Sequence, residues 1–279
     1  MKKIDPTNCI TIKEHMKNKE TKDDNMYMYI AEIFLHNNIA IKILKNTYGN
    51  EQLIYNKLQN HEYPNIVPIY GFIKCQDDFT NLKLNLMTRG ICNGTDTKNI
   101  HLLMMDNIPE NNLKKITIKD QQISVFYQLL FTSMKLFEDT NIIQHDIRES
   151  NITFIPTKIN YISYTIKTLN ITYIVKTFGI KPIIIDIDDG VYINEDKNNY
   201  LYLEDFYMLF TCIFSLYDLI DTDTMNILRD DINSKKYTYR NEHANKTRVI
   251  NHVHNLVNKY INIGKNVSAN TDIKNSRNF

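Results

Sequence analysis

An Asp followed five residues later by an Asn, in IIQHDIRESNITF at 142–154, is the pair in this chain whose types and spacing best suit chemistry. A carboxylate accepts the proton of an attacking hydroxyl, and an amide oxygen is a hard donor for Mg²⁺. Asp146 and Asn151 share one short loop between two apolar runs. A phosphoryl-transfer loop uses such a pair, and a plain polar turn is the alternative. Downstream, PIIIDIDDG at 182–190 is an apolar run that ends in carboxylates. Ionised carboxylates at the end of a buried strand are costly unless paired or bound to a cation. Asp186 or Asp188, brought to Asn151, would form a hard-oxygen site suited to Mg²⁺; Asp186 is preferred because it directly ends the Ile183–Ile185 run. Upstream, IAIK sets Lys42 in an apolar strand, where an ammonium can grip phosphates as a point charge. Glu51, in the following NEQLIYNKL, is the carboxylate that could hold that ammonium.

The elements that must position these residues fall into two kinds. Residues 1–105 are mostly short β-type runs: 26–35, 39–45, 65–75, 82–87 and 100–105, with a single helical stretch at 50–59. Beyond DNIPENN at 106–112, the apolar residues Ile123, Phe126, Tyr127, Leu130, Phe131, Met134 and Phe137 recur at helical spacing. A β region follows at 151–187, then helices near 203–219 and 246–262. The expected organisation is α+β: a small β-rich lobe at 1–105, a hinge at 106–112, a larger mainly helical lobe at 113–262, and a polar, disordered tail at 263–279. Within the β region, YTIKTLNITYIV reads as two β-branched runs around a Leu-Asn turn, a hairpin over 161–176.

Composition excludes several classes. With 43% hydrophobic and 23% charged residues the chain is ordinary for a globular protein. A net charge of +1 gives no field for specific nucleic-acid binding. The four cysteines are far apart in sequence, so reduced thiols rather than a zinc or redox motif are expected. The start carries no apolar leader core, and the most apolar stretch, 206–220, falls short of the ~20 residues a membrane span needs. An intracellular, soluble, membrane-free monomer is expected. NHVHN places His252 and His254 two apart on a helix, where side chains diverge, so they read as surface histidines rather than a metal pair.

In order, these segments resemble the eukaryotic-type protein kinases. IAIK is similar to the family's strand bearing the phosphate-gripping lysine, and NEQLIYNKL followed by YPNIVPIYGF resembles its regulatory helix, turn and next strand. LLMMDNIPENNL looks like the hinge, with Met105 as gatekeeper and Asp106 to Ile108 as adenine-facing backbone. QHDIRESN resembles the catalytic loop, which implies Asp146 as base, Arg148 as the phosphate-contacting cation and Asn151 on metal. EDFYMLF looks like the helix whose Asp, here Asp205, is buried. The long stretch between Asn151 and Asp186 resembles the hairpin insertion of haspin-like kinases and of the kinases of large DNA viruses. The resemblance covers roughly 39–220 and implies a two-lobed protein-kinase-like fold, ATP and Mg²⁺ as cofactors, and transfer to a Ser/Thr hydroxyl of a protein. Four departures stand against it. No glycine precedes Gly49, so the Gly-rich phosphate loop is absent. The interval from Lys42 to Glu51 is short. Gln144 and His145 replace the usual His and Arg. The segment from Asp186 to Asp205 is short and lacks A-P-E. These leave two alternatives: a pseudokinase that serves as a scaffold for a regulatory protein partner, and a small-molecule kinase of the aminoglycoside or choline kinase type.

Overall fold

The computed structural model describes residues 9–10, 32–36, 39–45, 49–59, 61–74, 100–109, 111–187, 190–193, 198–260 and 267–270. The β-type run expected at 82–87 and the Asp188 carboxylate lie outside them. Two compact units result: Met1–Glu62 with Val67–Ile108, and Tyr63–Ile66 with Pro109–Phe279. The chain is α+β, with helices and antiparallel strands in both units.

In the first unit, β1 (Cys9–Ile10), β2 (Glu32–His36), β3 (Ile39–Lys45), β4 (Ile69–Lys74) and β5 (Ile100–Asp106) form one sheet in the order β1-β2-β3-β5-β4. Every pairing is antiparallel. Alternation in IAIKILK sets Ala40 and Lys42 on one face, opposite Met105 and Leu103 of β5, and all four are buried. Helix α1 (Gly49–Leu58) packs against β4 and buries Ile54, Tyr55 and Leu58.

The second unit is built on α2 (Lys119–Thr140), which ends at Asn141 in the left-handed region, φ 61°. An Asn accepts that conformation at a helix end more readily than most residues. Phe126 meets Phe214 edge-on at 4.7 Å, and Phe137 stacks on Tyr202 at 4.5 Å, joining α2 to α3 (Leu201–Tyr217). Helices α4 (Thr222–Asn241) and α5 (Lys246–Tyr260) complete the helical part. Asp221 caps α4 by accepting from the Thr224 amide at 2.8 Å. No helix among the described residues is long and apolar enough to cross a membrane.

The β region at 151–187 divides between two sheets. β7 (Ile152–Pro156) pairs with β10 (Ile180–Ile184). Between them, β8 (Tyr161–Ile166) and β9 (Ile171–Lys176) form the hairpin, turning at Asn170, φ 55°. Its inner face, Ile162, Tyr164, Ile166, Tyr173 and Val175, is buried, and Phe131 of α2 stacks on Tyr173 at 4.0 Å. Glu138 anchors the turn by accepting from the Lys167 and Thr168 amides at 2.9 and 2.6 Å. A last pair, β6 (Ile142–Ile143) and β11 (Val191–Tyr192), brackets the loop that holds Asp146.

Two placements differ from expectation. β12 (Val267–Asn270) lies in the tail expected to be disordered, yet pairs antiparallel with β9. A two-stranded hairpin leaves an unsatisfied strand edge, and a short polar segment can satisfy it without any hydrophobic run of its own. Residues 63–66, expected within the first lobe, belong to the second unit. The reason is Asn65, fully buried in a polar cluster. Its amide donates to Gln128 Oε1 at 3.1 Å and to Pro182 O at 2.7 Å, while its oxygen accepts from Thr132 at 3.1 Å and Tyr164 at 2.5 Å.

Candidate active site

The loop after β6 is fixed from below. His145 takes a left-handed backbone, φ 61°, which strains a non-glycine residue and needs outside support. Asp205 of α3 supplies it: one carboxylate oxygen accepts from the His145 amide at 2.8 Å, the other from Ser133 of α2 at 3.1 Å. Tyr202 lies 3.4 Å from the same Ser133 hydroxyl. Asp205 is fully buried, and burial pushes its pKa above the usual carboxylate range, against the lowering pull of its hydrogen bonds from the His145 amide and Ser133.

On this base stand Asp146 and Asn151. Asn151 is buried, and its Nδ2 donates to Asp146 Oδ2 at 2.6 Å and to the Asp146 carbonyl at 3.1 Å. Arg148 reaches the same Oδ2 at 3.0 Å. One amide and one guanidinium therefore gather on one oxygen, and among the described residues no hydrogen bond occupies Oδ1. That oxygen can accept a proton from an incoming hydroxyl, with the largely exposed Arg148 beside it.

The strand that ends in Asp186 is tied to this loop twice. Ile185 donates its amide to the Asn151 carbonyl at 3.0 Å, and Gln144 Nε2 donates to the Asp186 carbonyl at 3.1 Å. The Asn151 amide nitrogen is spent on Asp146, while its oxygen accepts a long hydrogen bond from Ser150 at 3.3 Å and keeps a second lone pair as a hard donor. An amide oxygen and a carboxylate, few and hard, suit Mg²⁺, which keeps most of its shell for water and phosphate. Among the described residues, His, Cys, Asp and Glu form no cluster of three that could hold a metal by themselves.

In the first unit, Lys42 is 8% exposed on β3 and is drawn into interactions there. Met105 is buried on β5 in register with Ala40. Asp106 ends β5, in register with Ile39 of β3, and its amide donates to Pro68 O at 3.0 Å. Tyr70 donates to the Asp106 carboxylate, and that bond raises the phenol to about 12. Ile108 is half-exposed just beyond. Glu51 lies on α1, its side chain outside the described set. From Pro109 on, the chain joins the second unit, where Asn111 donates to Thr153 Oγ1 at 2.8 Å and to the Phe154 carbonyl at 2.9 Å.

Two functional supports escape a reading of the sequence. Ser133 is a small polar residue on the buried face of an apolar helix, a signal that something there needs a hydrogen bond, but nothing names Asp205 as its partner. Gln144 is legible only as a departure from a family motif; its bond to the Asp186 carbonyl is not. The two histidines also differ from expectation. Each is about half-buried, His252 against Tyr239 of α4 and His254 against Tyr173 of β9.

No family model matches this chain. No curated protein matches it either. Among solved structures, it is similar to a chain in the crystal structure of the yeast RNA Pol II CTD kinase CTDK-1 complex, at 12% identity and a TM-score of 0.39. That match covers 71% of this chain, which spans only 65% of the neighbour's length.

Proposed function

We propose that the chain is a protein-kinase-like phosphotransferase, moving the γ-phosphoryl group of ATP to a Ser or Thr hydroxyl of a protein. The observation that carries this reading is Asp146, held by Asn151 at 2.6 Å on one carboxylate oxygen with the other open among the described residues, on a loop pinned by a buried Asp205. A structural turn has no need for a carboxylate so oriented. The incoming hydroxyl oxygen forms a bond to the γ-phosphorus, the bond from that phosphorus to the ADP oxygen breaks, and the hydroxyl proton passes to Asp146 Oδ1. Arg148 offsets the charge on the transferred group. Asn151 and Asp186 would hold Mg²⁺, which neutralises phosphate charge when bound. Lys42 is the candidate for the phosphate oxygens and Glu51 for its partner, with Asp106 to Ile108 the candidate adenine-facing backbone and Met105 the gatekeeper.

The acceptor follows from the resemblance of the YPNIVPIYG stretch and hinge to protein kinases rather than to kinases of small molecules. A close relation to the haspin-like and viral kinases rests on the 161–176 hairpin.

A second reading has its own observation. With no glycine before Gly49, no close backbone approach can cover the phosphates, as expected of a pseudokinase that binds a regulatory protein. One experiment separates the two. Thermal shift with ATP, with and without Mg²⁺, is followed by γ-phosphate transfer to mixed protein and small-molecule acceptors. Mg²⁺-dependent stabilisation plus transfer to protein supports the kinase. Absence of transfer, with biological effect unchanged in Asp146→Asn, supports the scaffold.

A further inference from the structure

Helix α5 is held at its two ends by different chemistry. In its first turn, Lys246 donates to the last carbonyls of α2, Glu138 O at 2.8 Å and Phe137 O at 3.4 Å, and to the Asn141 side chain. An ammonium at a helix C-terminus is favoured by the dipole. The second half is held by neutral imidazoles. His252 meets the Tyr239 ring of α4 edge-on at 5.6 Å, and its Nε2 is buried without a hydrogen-bond partner. His254 Nδ1 lies 2.6 Å from the hydroxyl of Tyr173, a fully buried residue of β9. The side-chain amide of Asn258 lies 3.0 Å from its Nε2.

Burial in both seats favours the uncharged ring. Among the described residues, a protonated His252 would carry a buried N–H with nothing to accept it. In the tautomer in which Tyr173 donates to Nδ1, protonating His254 removes that acceptor and leaves the buried hydroxyl to find another. The surrounding charges do not rescue either. Facing His252 are Asp231 and Lys235 of α4, with Lys259 of α5, and Asp231 already accepts from Lys259 and Tyr260, each at 3.2 Å. Arg248 stacks over the Tyr239 ring at 4.8 Å. Around His254, the turn packed on α5 offers only Lys167, whose ammonium lies 3.7 Å from Asp139. Burial accordingly pulls both histidines below their ordinary range. The helix then leads to β12, which pairs with the same strand that His254 grips, Ala269 opposite Tyr173.

We propose that the second half of α5 together with β12 is an acid-released latch, opened when His252 and His254 take up protons. A group whose folded pKa is depressed contributes stability that is complete above its unfolded value, about 6.5 for His. That contribution is lost as pH falls through the folded value. Lys246 keeps the first turn in place, so release is local rather than global.

Hydrogen exchange of the full chain, corrected for intrinsic rate, tests this. Between pH 7.5 and 5.5 the wild type should lose at least tenfold protection over 251–260, 267–270 and 171–176, while α2 keeps its own. The double variant His252→Phe, His254→Gln retains the ring contact and an acceptor without titrating, and should stay protected at pH 5.5. Full protection of the wild type at pH 5.5, loss of α2 at the same time, or equal opening of the double variant overturns the latch. Should the double variant not fold, NMR titration of the wild-type histidines decides instead: values below 6.5 for both support it, and a value above 6.5 for either overturns it.

Discussion

Replacing Asn65 by Ala should cost the second unit about 3–5 kcal/mol, far more than a typical single substitution. The figure follows from what the side chain leaves behind. Four partners lose it together: Gln128 Oε1, the Pro182 carbonyl, Thr132 Oγ1 and the Tyr164 hydroxyl. Gln128 keeps other bonds through Nε2, to Ser124 at 3.0 Å and Ile180 O at 3.2 Å, so its loss is partial. Tyr164 is fully buried, burial holds its phenol far above the ordinary range, and only the Thr132 hydroxyl remains to it as a side-chain partner among the described residues. Each buried orphan costs about 1–3 kcal/mol, and some are relieved by relaxation, which gives the range above. Urea denaturation followed by circular dichroism measures it, and a double-mutant cycle with Tyr164→Phe should give a coupling of about 1 kcal/mol or more. Asn65→Asp discriminates further: a carboxylate can accept from Thr132 and Tyr164 but cannot donate to Gln128 or Pro182, so it should not rescue. A loss below about 1 kcal/mol for Asn65→Ala, or full rescue by Asp, would refute the idea that this cluster holds residues 63–66 in place.

Asp146→Asn should reduce transfer by a factor of about 10³ or more while leaving Mg²⁺–ATP stabilisation intact, because an amide cannot take the hydroxyl proton; equal loss of nucleotide-induced thermal shift would contradict its role. Asp186→Asn should instead abolish the Mg²⁺-dependent part of that shift, and wild-type ATP binding should be weak in EDTA; tight binding in EDTA would show that metal and Lys42 are not what hold the phosphates. Asp205→Asn removes a carboxylate that burial has raised above its unfolded pKa. Such a group supports folding fully only below its unfolded value and loses that support as pH rises. The variant's thermal stability relative to wild type should therefore improve from pH 4 to pH 7 while transfer falls; a difference that does not change with pH would mean that folding leaves the proton affinity of this carboxyl unchanged.

Much of the framework can be read from residue order because it depends on local rules. The helical spacing of Phe126, Leu130, Met134 and Phe137 sets the buried stripe of α2, and the β-branched runs around Leu169-Asn170 set the hairpin. The pairing of Asp146 with Asn151 is legible for the same reason, since five residues on one turn keep both side chains together. What escapes is long-range and polar. Asn65 opens a run that reads as a turn and strand of the first lobe, yet its partners are 63 to 117 residues away in sequence. No periodicity encodes such bonds, because a hydrogen-bond cluster is specified by the fold that surrounds it. β12 escapes because its warrant is the open edge of β9, not its own composition. The half-burial of His252 and His254 escapes because divergence on one helix was read as exposure, whereas two different neighbours cover the two directions.

Assigning Tyr63–Ile66 to the second unit has a consequence for how the chain is made and cut. During synthesis this four-residue segment emerges long before Tyr164 and Pro182, so Asn65 must wait, desolvated or hydrated, until most of the protein has followed. The second unit cannot complete its core while its first segment is elsewhere, which makes late, long-range closure a slow step of folding. It also means that a protein cut after Ile108 leaves a C-terminal piece with a vacancy at its centre: Gln128, Thr132 and Tyr164 would face a hole where Asn65 belongs. Added back as a short peptide spanning 60–68, that missing segment should restore cooperative unfolding to the fragment, as a key restores a lock that was cast around it.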